Sequence, residues 1–169
     1  MKIFTITYKG KIDKKITVDE LNQTIEKVFE IFNKKITHYA ISITNKNTGK
    51  VKKYRKDKRL LENIQNNQLE YISFFALPQN YITVAFDYSL YMSINYKRKH
   101  LTIFIEENLI ENKKIELVKE ILRSYMAFPY TEEIFMMDKE ETPLLYVEEI
   151  NPMSSFKTLE IISKKIISL

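Results

Sequence analysis

The chain has 169 residues, 44% of them apolar and 12% aromatic, with a formal charge of +5, no cysteine and two glycines. That length and apolar fraction suffice for one sizeable core, so residues 1–169 are read as a single globular domain. The lack of cysteine excludes disulfides and thiolate metal sites, and no apolar run approaches the roughly 18 residues that a bilayer-spanning helix needs. A cytoplasmic location with no membrane partner is expected, because the opening "MKIFTITYKG" alternates like a strand and lacks the apolar stretch of a signal peptide.

In chain order, Phe4, Ile6 and Tyr8 alternate with Thr5 and Thr7, the pattern of a half-buried strand. Thr17 and Glu20 have the spacing of a capping box, and the helix it opens carries Val18, Leu21, Ile25, Val28, Phe29 and Phe32 on one stripe. Tyr39, Ile41 and Ile43 predict a second strand, with a turn ending at Gly49 and a return arm through residues 50–59. A short helix is expected at Leu60–Ile64 and a strand over Leu69–Leu77. Three strands follow in the alternation of Ile82, Val84 and Phe86, then Leu90, Met92 and Ile94, then Leu101, Ile103 and Ile105. Their other face, with Thr83, Tyr91, Ser93, Asn95 and Thr102, reads as a polar, tyrosine-bearing surface. Ile115, Val118, Ile121, Leu122, Tyr125 and Met126 form a second helical stripe that stops before Pro129. Ile134–Met137 and Leu144–Val147 read as short strands or packed loops, and Phe156, Leu159, Ile162, Ile166 and Leu169 as a third helix. The expected fold is α+β: an antiparallel sheet of about six to eight strands packed on one face by about three helices.

Charge is unevenly placed. Residues 50–59, "KVKKYRKDKR", hold seven basic side chains against Asp57, a net +6, so the rest of the chain sums to −1. Residues 129–151 set seven acids against Lys139. The basic strip has three readings: a lysine-guarded sheet edge, a protein-docking strip, or a phosphate grip with Tyr54 as a stacking surface. The nucleic-acid reading uses Lys52, Lys53, Tyr54, Arg55, Lys56, Arg59, Lys97 and Arg98, and gains if the two basic segments are neighbours. In the acidic segment, Glu132, Glu133, Phe135, Asp138, Glu140, Glu141 and Tyr146 combine carboxylates with aromatic anchors, as a surface that captures a basic protein does. The plain alternative is core residues with solvated acids between them.

Catalytic chemistry has little to stand on. Gly10 and Gly49 are isolated and cannot cradle a phosphate, and neither a nucleophile elbow nor a zinc-binding His pair occurs. His38 and His100 stand at predicted strand starts; facing each other, they would suit a metal-independent ribonuclease. The doublets Glu106–Glu107, Glu132–Glu133, Glu140–Glu141 and Glu148–Glu149 place neighbouring carboxylates on diverging faces, which favours solvated surface over a metal cage, and no cofactor is expected.

A small, cysteine-free, motif-poor domain with a two-signed surface suits a protein that works by binding. In size and style it resembles bacterial immunity proteins that neutralise a cognate toxin, a general likeness that rests on no motif. That resemblance implies a non-enzymatic inhibitor with a protein partner. The alternatives are a nucleic-acid-binding accessory protein of a phage or mobile element, and the ribonuclease using His38 and His100.

Overall fold

A computed structural model describes residues 2–12, 18–43, 51–54, 69–82, 87–138 and 158–169. In chain order these form β1 (Lys2–Lys9), α1 (Val18–Ile31), β2 (His38–Ile43), β3 (Lys52–Lys53), β4 (Leu69–Ala76), β5 (Leu90–Asn95), β6 (His100–Glu106), a 3₁₀ turn (Glu107–Leu109), α2 (Asn112–Arg123), β7 (Tyr130–Asp138) and β8 (Thr158–Ile167). The fold is α+β. The eight strands make one sheet in the order β3-β2-β4-β5-β6-β1-β7-β8, and every pairing is antiparallel.

The helices follow from their apolar stripes. Leu21, Ile25, Val28 and Phe29 of α1 and Ile115, Val118 and Leu122 of α2 are buried against Ile6, Tyr8, Ile72, Phe74, Met92 and Ile103, which lie on one side of the sheet. Burying such a stripe, rather than intrinsic propensity, is what holds helices of this length. The strands alternate as their period of two requires, so Ile3, Phe75, Tyr91, Phe104, Phe135 and Met137 fall on the opposite side. These too are buried and form a second cluster with Tyr88, so the sheet is buried on both faces. Tyr91, Ser93 and Thr102, expected on an exposed surface, are therefore interior residues.

On this second face the register lines up two transverse rows. One is aromatic: Phe75, Tyr91 and Phe104 stand opposite one another on adjacent strands, with ring centroids 5.1 Å apart at each step. The next is polar, running Ser73, Ser93, Thr102, Thr7, Glu133 and Lys164 across six strands. Thr7 and Thr102 share a hydrogen bond of 3.2 Å within it.

Two helices stand among the described residues, not three, because the segment expected to be the last helix is strand β8. Its apolar spacing suits either element, but Ile161–Ile162 and Ile166–Ile167 are β-branched doublets that favour extended backbone. Strand geometry also lets adjacent Lys164 and Lys165 point to opposite faces, where each meets a glutamate of β7. The decapeptide's Lys52–Lys53 is the return arm of a hairpin on β2 and one margin of the sheet. The expected helix at Leu60–Ile64, the strands around Val84–Phe86 and Leu144–Val147, and the cap at Thr17 lie outside the described residues.

Candidate functional site

The basic residues with the clearest setting gather at one corner of the sheet. Lys34 and Lys35 follow α1 directly, after Asn33 turns the chain with φ 56°, a conformation asparagine tolerates better than most residues. The backbone N–H of Thr37 then donates to Phe75 O at 2.9 Å, and Tyr54 N donates to Thr37 O at 2.8 Å. Those two bonds bring the lysines after α1 to the end of β3, where Lys52 and Lys53 are exposed. Two open grooves meet at Lys34 and Lys35. One, of about 310 Å³, is also lined by Glu26, Glu30 and Tyr54. The other, of about 410 Å³, is lined by Pro78, Asp87, Ser89 and Glu106 among others. Exposed Tyr81 and Ile82 complete the corner, the Tyr81 ring packing edge-on to His38 at 5.1 Å, and His38 stands opposite Lys53 in register. The corner thus mixes lysines, carboxylates and apolar side chains. Lys34 and Lys35 were not singled out by sequence, since their only signal is position just beyond a helix end.

Tyr54 is half-buried, packed edge-on against Tyr39 and Phe74, and its hydroxyl donates to Glu26 at 3.4 Å. Burial first, and Glu26 second, push its ionisation far above the ordinary tyrosine value. Lys97 and Arg98 sit in the β5–β6 turn, at the opposite end of the strands from β3. Three strand steps across and about six residues along separate Lys53 from Lys97 by roughly 25 Å, so the described parts of the two basic segments are not neighbours. Lys97 is paired with Glu70 at 3.3 Å, and Arg55, Lys56 and Arg59 lie outside the described residues.

Four of the residues expected to meet a basic partner, Glu132, Glu133, Phe135 and Asp138, lie on β7. Glu132 and Glu133 are 0% and 2% exposed and Phe135 is 1% exposed, so these three are interior residues. Glu132 points to the helix side, 2.6 Å from Arg123 Nη2 and 3.2 Å from Lys165 Nζ. Glu133 points to the other side, 2.7 Å from Lys9 and 3.2 Å from Lys164. Burial pushes the Glu132 carboxyl up, but Arg123, with Tyr8 and Lys165 beside it, outweighs that and holds it below the ordinary 4.5. The doublet does diverge to two faces; it is not solvated. The cations that complete it, Lys9, Arg123, Lys164 and Lys165, come from three elements: strand register brings the three lysines, and the packing of α2 on the sheet brings Arg123. Asp138 closes β7 part-buried, while Glu140, Glu141 and Tyr146 lie outside the described residues.

The histidines share a face but not a site. From His38 the register runs through Phe75 and Tyr91 to Phe104, and His100 is four residues further along β6. The two are on the order of 19 Å apart, beyond any concerted proton transfer. Each has local partners instead. His38 Nδ1 is 3.0 Å from Thr37 Oγ1, and burial followed by Lys53 lowers its pKa below 6.5. His100 is lowered by burial, then by Lys9 and Arg98, against the pull of Glu133. Among the described residues, no three His, Asp or Glu side chains converge as a metal cage requires, and no helix is long and apolar enough to cross a membrane.

No protein-family model, curated protein or solved structure matches the chain.

Proposed function

We propose that this is a non-enzymatic binding protein of the immunity type, which neutralises a cognate toxin by forming a protein–protein complex, and that its working surface is the basic corner at β2–β3. The observation that carries this reading is the exposure of Tyr81 and Ile82 at the corner where Tyr81 packs on His38, the register partner of exposed Lys53. Apolar anchors ringed by charge are what a protein interface uses, the anchors for affinity and the charges for encounter rate and selectivity. The lysines fit an acidic cleft on the partner. Glu26, Glu30, Asp87 and Glu106 in the adjoining grooves repel a continuous run of phosphates but can meet basic residues of a folded partner.

The test is co-expression with the product of the neighbouring reading frame, where an immunity gene's toxin is expected. Growth arrest relieved by this chain, and restored by K52E/K53E/I82D, supports the reading. A nucleic-acid mobility shift at low salt that K52E/K53E abolishes, without any relief of growth, moves the assignment to the nucleic-acid-binding alternative.

A further inference from the structure

The two margins of the sheet differ in kind. β3 is two residues long and both are exposed lysines, the pattern that prevents strand addition. β8 is ten residues long, is the outermost described strand on the other side, and exposes Ile161 (60%), Ile162 (47%) and Ile166 (75%). It also carries two lysines, but these do not guard the edge as those of β3 do: Lys164 and Lys165 lie 3.2 Å from Glu133 and Glu132.

We propose that β8 is a self-association edge, pairing antiparallel with β8 of a second copy about a two-fold axis near Ile162. Charge selects that occupant. Glu132 with Arg123 and Lys165 sums to one excess positive charge, and Glu160 is exposed on the same side of the sheet, since a bulge at Ile162 offsets the alternation of β8 so that Glu160, opposite Met136, and Lys165, opposite Glu132, share one face. Antiparallel pairing near Ile162 sets Glu160 of each copy opposite Lys165 of the other, so one contact, made twice, supplies the missing anion. Lysine has three donors and can serve both carboxylates. The exposed isoleucines of both copies are brought together along the same seam.

The guarded edge decides the outcome of assembly. A strand that can pair only with its own kind gives an isologous interface, which closes at two copies. The β3 edges then lie at the two ends of a continuous sheet and stop further addition, so the assembly is a dimer and not a fibre. Each copy keeps its β2–β3 corner exposed, so this inference does not depend on the function proposed above.

The test uses the full chain in sedimentation equilibrium and light scattering over a wide concentration range. The wild type is expected to shift from one-chain to two-chain mass as concentration rises, and I161K/I166K to weaken association about tenfold or more, because it places like charges along the seam. Circular dichroism and thermal melting of that variant should match the wild type, both positions being solvent-exposed. The cysteine-free sequence allows a second readout: I162C should form a disulfide-linked dimer on mild oxidation, and K113C on the exposed side of α2 should not. A wild type that stays one-chain at the highest concentration reached overturns the proposal. So does a dimer that I161K/I166K leaves intact, or equal cross-linking of I162C and K113C.

Discussion

Arg123 delivers both Nε and Nη2 to a single oxygen of Glu132, at 2.8 and 2.6 Å, and that oxygen belongs to a fully buried carboxylate. The contact ties the end of α2 to β7, and the carboxylate's second oxygen ties β7 to β8 through Lys165. Removing one member of such a group leaves a buried charge under-compensated, so R123A should cost about 3 kcal/mol in urea-induced unfolding.

The same carboxylate predicts an acid response. Its pKa is held below 4.5 in the folded chain, so it adds stability that is fully present above that value and lost as pH falls through the folded pKa. E132Q should be less stable at neutral pH and show a flatter loss of stability in acid. Denaturation midpoints measured across the carboxylate range check both.

His38 and His100 act at higher pH. Both are lowered from 6.5, so below that value the unfolded chain binds more protons than the folded one and stability falls. Stability should be level above pH 6.5 and decline beneath it. The double variant H38Q/H100Q should remove the decline that precedes carboxylate titration, as read from melting temperature against pH.

Buried hydroxyls of the second sheet face give predictions of opposite sign. Thr5 Oγ1 and Ser73 Oγ are enclosed without a hydrogen-bond partner. Replacing such a group by an apolar one of like shape relieves a desolvation cost, so T5V and S73A should each stabilise by about 1 kcal/mol. T7V, which breaks the bond to Thr102, should instead destabilise by a similar amount.

Gly10 is required where it stands. Its φ is +154°, and a Cβ there would lie 2.9 Å from Tyr130 Cβ and 3.3 Å from Tyr130 Cα, so the clash reaches backbone. G10A should cost about 1–3 kcal/mol, through strain and displacement of the β1–β7 pair. Chemical denaturation measures the loss.

Much of this fold was legible because burial imposes periodicity. The stripe from Leu21 to Phe32 has one buried face that dictates the spacing of apolar residues, and in β5 and β6 the aliphatic positions of the helix side alternate with polar and aromatic ones although both faces are buried. What was not legible there was the burial of the second face; in β8 it was the element itself, where neither face is buried. In β8, Ile161, Ile162 and Ile166 are exposed, so no core selects a period and helical spacing arises by coincidence. The Glu132–Glu133 doublet reads as surface because its neutralising cations are brought together by strand register, at Lys9, Lys164 and Lys165, and by the packing of α2 on the sheet, at Arg123, which sequence spacing does not display. The basic corner has a similar origin: backbone bonds at Thr37 join the segment that follows α1 to the end of β3, which sequence spacing does not display.

The placement of β1 governs the order of events in folding. It lies between β6 and β7, and its Thr7 finds Thr102 across a sequence separation of 95 residues. As the chain leaves a ribosome, β1 therefore emerges with neither neighbour yet made, and must wait while α1, β2, β4 and β5 appear. Topologies dominated by such distant pairings fold in about milliseconds to seconds, slower than helical bundles of comparable stability. During that interval the alternating segment from Lys2 to Lys9 has both edges unpaired, which makes the nascent chain the stage at which a chaperone has most to protect.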